Sequence, residues 1–266
     1  NEIIQTIFLA FGGFGRHALC FEPSYSMHRN ISRATGTQWI AVERNDDYSI
    51  DLGSAAEVIN AQSPTLIFLT TPNNPTGTVT SLTDIERIAQ ICRERNSLLV
   101  IDEAYQEFSS EQSAVTLIDK YPNIIVSRTM SKAFAFAGTR LGYLVANPSV
   151  VDALQLVRLP YHLSTATQAL AIVALSYSQE LLGNVALLSK ERERVRQQLE
   201  RLGVSALQSG ANFFLLATAT PGELWQKLLA AGVLIRDVGL PGALRVTIGT
   251  PEENDRFIAA MAKALD

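Results

Sequence analysis

The chain has 266 residues, of which 47% are hydrophobic and 18% charged, with a formal net charge of −4. This length and apolar content support a well-packed core in one or two domains, which excludes disorder as the main state. The acidic balance argues against a surface for nucleic acid or an anionic membrane. Two cysteines (Cys20 and Cys92) and three histidines suggest a reducing cytoplasm, without a disulfide framework or a metal site.

The first part of the chain alternates short β-rich runs with amphipathic segments of helical length. Strands are predicted at 18–22, 37–43, 65–70, 98–102, 124–127 and 141–146, and helices at 27–35, 52–61, 82–96 and 113–120. Several strands are apolar at consecutive positions, as strands covered on both faces are. This alternation predicts an α/β fold with a mostly parallel, doubly wound sheet in a large domain over residues 1–163.

The pattern changes after residue 163. Residues 164–202 predict one long connecting helix, which Gly203 ends. Strands at 213–217, 233–236 and 244–248 and helices at 223–231 and 252–265 then predict a smaller C-terminal α/β domain over 203–266. The longest uncharged stretch, 159–179, is interrupted by Pro, His, Ser, Thr and Gln, so it is a poor candidate for a membrane span.

Polar segments follow several of the predicted strands. They are Pro-Ser-Tyr at 23–25, Thr-Pro-Asn-Asn-Pro-Thr-Gly at 71–77, Asp-Glu-Ala-Tyr at 102–105 and Ser-Arg-Thr-Met-Ser-Lys at 127–132. Each has an ordinary structural interpretation, as a turn, a capping or solvated acidic pair, a surface lysine or a packed tyrosine. Because ligands bind outside the carboxyl ends of parallel strands, their joint occurrence predicts one site at this edge of the sheet.

Together these segments resemble the fold-type-I aminotransferases that use pyridoxal phosphate. The resemblance is carried by 72–77, 102–105, Thr-Met-Ser-Lys at 129–132 and Ala-Gly-Thr-Arg-Leu-Gly-Tyr at 137–143. Within them, Leu-Val-Arg-Leu-Pro-Tyr-His-Leu at 156–163 and Leu-Arg-Val-Thr-Ile-Gly-Thr at 244–250 are most similar to the histidinol-phosphate aminotransferases. The resemblance covers essentially the whole chain and implies the fold-type-I architecture.

The resemblance implies how the cofactor ring would be held. Lys132 matches the lysine that bonds covalently to the cofactor aldehyde and then moves a proton between substrate and cofactor. Asp102 matches the carboxylate that keeps the ring nitrogen protonated. Asn74 and Tyr105 match the donors to the ring oxygen, and Tyr25 matches the aromatic side chain that stacks on the ring.

The resemblance also places the cofactor phosphate. It implies a bidentate contact from Arg140 and hydroxyl donors from Thr129 and Ser131. Asn1 resembles the end of the family's phosphate-binding turn, before a helix that is expected to open at residue 2 or 3 and face the phosphate. The glycine of that turn would lie before residue 1, so we expect that an N-terminal segment is missing from this sequence.

Substrate recognition is implied for the small domain. Arg245 resembles the arginine that binds the carboxylate of an amino or keto acid, and Arg236 resembles a second anion ligand; each has an ordinary alternative as an edge or surface arginine. The implied reaction transfers an amino group between L-histidinol phosphate and 2-oxoglutarate, forming imidazole-acetol phosphate and glutamate, in histidine biosynthesis. The family also implies a homodimer. Arg158 and Tyr161 lie in a family-like stretch but receive no role.

Alternatives with other activities remain open from the sequence. An aromatic amino acid aminotransferase, such as one acting on phenylalanine, would share nearly all of the cofactor residues. A phosphate-recognising decarboxylase on the same fold would release carbon dioxide instead. A non-catalytic cofactor-sensing module attached to a DNA-binding domain is a further class, although the chain has no helix-turn-helix or basic patch to support it.

Overall fold

The computed structural model describes residues 1–265 and contains a large sheet of six strands. The strands are β1 His17–Glu22, β2 Gln38–Glu43, β3 Leu66–Thr70, β4 Leu98–Asp102, β5 Ile124–Thr129 and β6 Gly142–Ala146. Their spatial order is β2-β1-β3-β4-β5-β6, with every neighbouring pair parallel except β5 and β6. The predicted mostly parallel α/β sheet is confirmed, and β6 is its antiparallel edge.

Helices cover both faces of the large sheet. On one face pack α3 Leu52–Gln62 and α4 Leu82–Glu94, and on the other α1 Glu2–Phe11, α2 Ser26–Ala34 and α5 Pro148–Val157. Alternate residues of β3 enter the two cores: Ile67 faces α3 and α4, whereas Leu66 and Phe68 face α1 and α2. A strand buried on both faces needs apolar side chains at consecutive positions, which explains the unbroken apolar run.

Two local predictions in the large domain need correction. The helix predicted at 113–120 is only a 3-10 turn, Ala114–Leu117. The carboxylate of Glu103 accepts hydrogen bonds from the Ser113 hydroxyl and the Ala114 N–H, both at 2.7 Å, and this fixes the turn against the sheet. Helix α5 was not predicted, although Asn147 caps its first turn and a proline opens it.

The single long helix predicted over 164–202 is wrong. The segment forms α6 Thr165–Ser176 and α7 Ser178–Arg201, bent by 71° at Tyr177. The Ser176 hydroxyl donates to Val173 O and the Tyr177 N–H to Ala174 O, so local bonds close the last turn of α6. Within residues 1–265 no single helix is both long and apolar enough to cross a membrane; α6 and α7 meet that test only as a bent pair.

A second, two-stranded antiparallel sheet follows α7. It pairs β7 Phe213–Ala217 with β8 Ala243–Thr247, and its core is shared with α7, α8 Pro221–Ala230 and α9 Pro251–Leu265. The strand predicted at 233–236 is wrong: only one bridge forms, between Arg236 and Arg245. The chain turns away directly afterwards, where the Gly239 N–H donates to Asp237 Oδ1 at 2.8 Å.

Candidate active site

The polar segments that follow the strands leave the same edge of the large sheet. β3, β4 and β5 run parallel, and their register pairs Thr70 with Asp102 and Asp102 with Ser127. The loops that begin after these residues carry Asn74, Tyr105 and Lys132. The topology therefore brings the residues predicted for cofactor binding to one edge.

Asp102 lies at the centre of this edge, is buried, and is held on both carboxylate oxygens. Its Oδ2 accepts a hydrogen bond from His28 Nε2 at 3.1 Å, and its Oδ1 accepts from the Ala104 N–H at 3.2 Å and the Ser127 hydroxyl at 3.4 Å. Because the carboxylate is the acceptor, His28 carries its proton on Nε2. Asp102 is thus fixed in orientation.

His28 is a site residue that the sequence did not reveal. It is fully buried, and its ring stands edge-on to Tyr25 with the ring centroids 5.4 Å apart. The available signal was its spacing, since His28 lies three positions after Tyr25, the N-cap of α2, which is about one helical turn. That spacing places His28 between the predicted stacking tyrosine and Asp102.

Lys132 lies among cationic side chains. Its Nζ is 5.6 Å from the centroid of the Tyr105 ring. The residue is exposed as a whole, yet desolvation of the amine lowers its pKa, and the positive charges of Arg245, Arg140 and Arg236 lower it further. A larger fraction of the amine is therefore neutral than for an ordinary lysine at the same pH.

Arg245 links the small sheet to the large one. Its Nη1 donates to Asn74 Oδ1 at 2.6 Å, and its guanidinium lies 4.7 Å from the centroid of Phe213. Its Nε is buried without a partner within residues 1–265, and burial lowers the pKa of the guanidinium. Arg236 is exposed and pairs with Arg245 through a backbone bridge. The two arginines therefore lie side by side and form one rim of the candidate site.

Tyr105 packs beneath this rim. It is buried, and its ring meets Phe213 edge-on at 5.0 Å. Burial raises the pKa of Tyr105 to about 12, against the opposing charge of Arg245. The phenol therefore remains protonated at neutral pH and is able to donate a hydrogen bond.

The opposite side of the site is formed by Tyr25 and the start of α1. The Tyr25 hydroxyl donates to Asn1 Oδ1 at 3.1 Å. Asn1 is exposed and precedes Glu2, where α1 begins, as the sequence predicted. The free N–H groups of the first helical turn suit an anion.

The remaining predicted phosphate ligands are Thr129, which ends β5, and Ser131 and Arg140, which lie between β5 and β6. The Thr129 hydroxyl accepts from the Ser131 N–H at 3.1 Å, which forms a tight turn before Lys132. Arg140 is exposed and has a left-handed backbone with φ 57°. Its Nη1 donates to Ala137 O at 3.1 Å. Arg158 and Tyr161 are exposed in the segment between α5 and α6, and the structure gives them no contact with these groups.

The chemistry of the site fits an anionic ligand that has a ring and an aldehyde. Desolvation lowers the pKa of the Lys132 amine, and the positive charges of Arg245, Arg140 and Arg236 lower it further. A surplus of cations with an unpartnered Arg245 Nε suits phosphate and carboxylate groups. The buried carboxylate of Asp102 suits a protonated ring nitrogen. These residues therefore fit pyridoxal phosphate.

Comparison with known proteins agrees with this chemistry. The profile of the family "Aminotransferase class I and II" matches residues 1–261. A histidinol-phosphate aminotransferase of Corynebacterium glutamicum is 54% identical over 267 aligned residues, which cover 100% of this chain and 72% of that protein.

Solved structures share the fold. A putative histidinol-phosphate aminotransferase from Erwinia carotovora atroseptica is 27% identical with a TM-score of 0.91, over 98% of this chain and 78% of that one. A histidinol-phosphate aminotransferase from Sinorhizobium meliloti, solved with pyridoxal-5'-phosphate, is 24% identical with a TM-score of 0.90, over 99% of this chain and 74% of that one. The chain belongs to the class I and II aminotransferases and, among them, to the histidinol-phosphate aminotransferase family.

Proposed function

We propose that this chain is a pyridoxal-phosphate-dependent enzyme of histidine biosynthesis. It moves the amino group of glutamate to imidazole-acetol phosphate, forming L-histidinol phosphate and 2-oxoglutarate, and also runs in reverse. The observation that carries the proposal is Lys132, whose Nζ lies 5.6 Å from the centroid of the Tyr105 ring and whose pKa is lowered by desolvation and by the charges of Arg245, Arg140 and Arg236. The 54% identity to a histidinol-phosphate aminotransferase supports the choice of substrate.

The cofactor supplies the electron sink and carries the amino group between the two substrates. Asp102 would accept a hydrogen bond from the ring nitrogen and keep it protonated, and His28 holds this carboxylate in place. Tyr25 stacks on the ring. Asn74 donates through its Nδ2, since its Oδ1 already accepts from Arg245, and the protonated Tyr105 donates to the same ring oxygen.

The end of β5, the segment after it and the start of α1 would together hold the cofactor phosphate. Arg140 provides a guanidinium, and Thr129 and Ser131 provide hydroxyls. Asn1 stands at the opening of α1, whose first N–H groups point toward an anion.

Lys132 is the general acid and base. With the cofactor bound, its neutral Nζ would accept the proton from the substrate Cα and deliver it to the cofactor carbon that keeps the amino group. The lowered pKa of Lys132 favours the neutral form that this step needs. Arg245 and Arg236 bind the anionic end of each substrate in turn, which is phosphate for L-histidinol phosphate and carboxylate for glutamate.

A homodimer is part of the proposal. The exposed apolar residues of α6 and the bend after it are Leu170, Ile172, Val173, Leu175 and Tyr177. An apolar surface of this kind is typical of one that another chain covers. We expect two chains per particle in sedimentation equilibrium, and Ile172→Glu to shift the particle toward one chain.

A cytoplasmic location is supported by the two buried free thiols, Cys20 and Cys92.

The decisive experiment compares steady-state amino transfer to 2-oxoglutarate from two donors, L-histidinol phosphate and L-phenylalanine. We expect kcat/KM for L-histidinol phosphate to be higher by at least about 100-fold, because its phosphate offers Arg245 and Arg236 more charge and one more terminal oxygen than the carboxylate of phenylalanine does. Equal values, or a preference for phenylalanine, would contradict the substrate assignment. Release of carbon dioxide without amino transfer would contradict the reaction class.

A further inference from the structure

Asn73 precedes Asn74 in the turn after β3 and is fully buried, with 0% of its surface exposed. Its backbone closes the turn: its N–H donates to Thr78 O at 2.8 Å, and its O accepts from the Gly77 N–H at 2.7 Å. A turn needs no asparagine for these two bonds. The side chain must therefore serve another purpose.

The side chain of Asn73 bridges two loops that lie far apart in sequence. Its Nδ2 donates to Pro23 O at 2.9 Å, across 50 positions, and also to the Thr76 hydroxyl at 2.8 Å. Its Oδ1 accepts from the Ser24 hydroxyl at 3.1 Å. Both amide protons are thus used, so the orientation of the amide is fixed by its partners.

The bonds around Asn73 continue in both directions. The Ser24 hydroxyl lies 2.9 Å from that of Thr70 at the end of β3, and since it donates to Asn73 it accepts from Thr70. On the other side, the Thr76 and Thr78 hydroxyls are 2.7 Å apart. Asn73 therefore joins the end of β3 and both loops in one network.

The two loops joined in this way carry ring contacts of the proposed site. Pro23 and Ser24 lie directly before Tyr25, and Asn73 lies directly before Asn74. We propose that Asn73 is a positioning residue, which sets the distance between the stacking ring of Tyr25 and the amide of Asn74. This inference rests on the proposed function, because it assumes that Tyr25 and Asn74 contact the cofactor.

The substitution Asn73→Asp tests this inference with little change in volume. Aspartate keeps the acceptor for the Ser24 hydroxyl but has no N–H to donate to Pro23 O or Thr76. An ionised carboxylate would face the Pro23 carbonyl oxygen, and the two loops would separate. The contacts of Tyr25 and Asn74 with the cofactor would then weaken together.

Asn123→Asp is the matched control. Asn123 Nδ2 also donates to two main-chain oxygens, Ala89 O at 3.1 Å and Ser97 O at 3.3 Å. It precedes β5 and so lies at the opposite end of the sheet from the site. Both variants lose the same kind of interaction, but only one of them is next to the cofactor.

The protein stripped of cofactor is titrated with pyridoxal phosphate, and the absorbance of the loaded protein is followed against pH. For Asn73→Asp we expect a dissociation constant raised about tenfold. We also expect a higher pH midpoint of the absorbance change, because the ionised ring oxygen loses the stabilising donation of Asn74. Ser24→Ala, which removes the hydroxyl bonds to Asn73 and Thr70 but introduces no charge, should change both in the same direction by less, and Asn123→Asp should change neither.

The outcomes separate the two proposals. If the unaltered protein gives no cofactor absorbance, the proposed function fails. If it binds the cofactor but Asn73→Asp and Ser24→Ala keep its affinity and midpoint, or change no more than Asn123→Asp, the positioning role is wrong. If Asn73→Asp does not fold, the shift in Ser24→Ala decides.

Discussion

The two sheets contribute to the site in different ways. Asp102 ends the buried β4 strand of the six-stranded sheet and Tyr105 lies in the loop after it, and both are buried themselves. Asp102 has three hydrogen-bond donors around it. Beside the two-stranded sheet, Arg236 is exposed, and Arg245 on β8 is only partly buried. Asp102 and Tyr105, proposed for the constant cofactor, are therefore held more firmly than the two arginines proposed for two different substrates.

The small sheet nevertheless contacts the large domain beside residues that are proposed to bind the cofactor. The Gly210 N–H donates to Gly77 O at 2.8 Å, and Arg245 donates to Asn74. Gly77 has φ +78°, and a Cβ at this position would lie 2.2 Å from the Ser209 hydroxyl oxygen. Only glycine allows the approach, so this contact fixes where the small sheet meets the turn after β3.

The largest effect is expected at Lys132. Lys132→Ala removes the group that moves the proton, and amino transfer should fall about 10⁴-fold, at the upper end for general acid–base catalysis. Pyridoxal phosphate should still bind, because Arg140 and the start of α1 remain. Steady-state rates and dialysis of the loaded protein measure the two quantities, with the exposed Lys263→Ala as the control. Turnover at the unaltered rate would contradict the proposal.

A smaller loss is expected at Asp102. In Asp102→Ala the cofactor ring nitrogen loses its carboxylate, and kcat should fall about 10²–10³-fold, as for loss of other electrostatic partners in a closed site. His28 also loses its acceptor while buried, so thermal unfolding should occur at a lower temperature. Asp152→Ala, an exposed carboxylate on α5, is the control and should change neither measurement.

Arg236 tests the exposed side of the comparison. Arg236→Ala should raise the concentration of L-histidinol phosphate needed for half-saturation by about fivefold, and less at high salt, because exposed charges are screened. The pKa of Lys132 should rise, since a cation that lowers it is removed. Kinetics at two salt concentrations test the first point, with Arg256→Ala as the control. Loss of cofactor binding that does not depend on salt would contradict the assignment of cofactor binding to the large sheet and substrate binding to the small one.

The smallest effect is expected for the cysteines, which test the rigidity of the large sheet. Burial raises the pKa of both Cys20 and Cys92 to about 12. Neither thiol should react with a disulfide reagent in the native protein at pH 8, and both should react after unfolding. Rapid reaction of either thiol in the native protein would show that the core of the large sheet opens more readily than its packing indicates.

Much of the fold followed from local pattern, because the strands of a doubly covered sheet are continuous apolar runs with polar residues at their ends. The break at Tyr177 was not predicted, because hydrophobic spacing continues through it and local hydrogen bonds decide the bend. Nor was the antiparallel direction of β6, since direction depends on the route of the chain rather than on strand composition.

The site was predictable where motifs follow strands and not where contacts cross the sequence. His28 meets Asp102 across 74 positions, and Asn73 meets Pro23 across 50. Both residues are buried polar side chains whose partners are set only when the loops converge. Their neighbours Tyr25 and Asn74 were found because they resemble a family motif, whereas the supporting contacts needed coordinates.

Arg245 tests the division between the two sheets most directly. Cofactor-loaded Arg245→Ala is titrated with L-histidinol phosphate in the absence of keto acid, and the cofactor absorbance is followed beside that of the unaltered protein. We expect undiminished cofactor occupancy and full conversion of the cofactor absorbance. The substrate concentration needed should rise about 10- to 100-fold, because a charged hydrogen bond is lost. Loss of the cofactor with an unchanged substrate requirement would contradict this expectation.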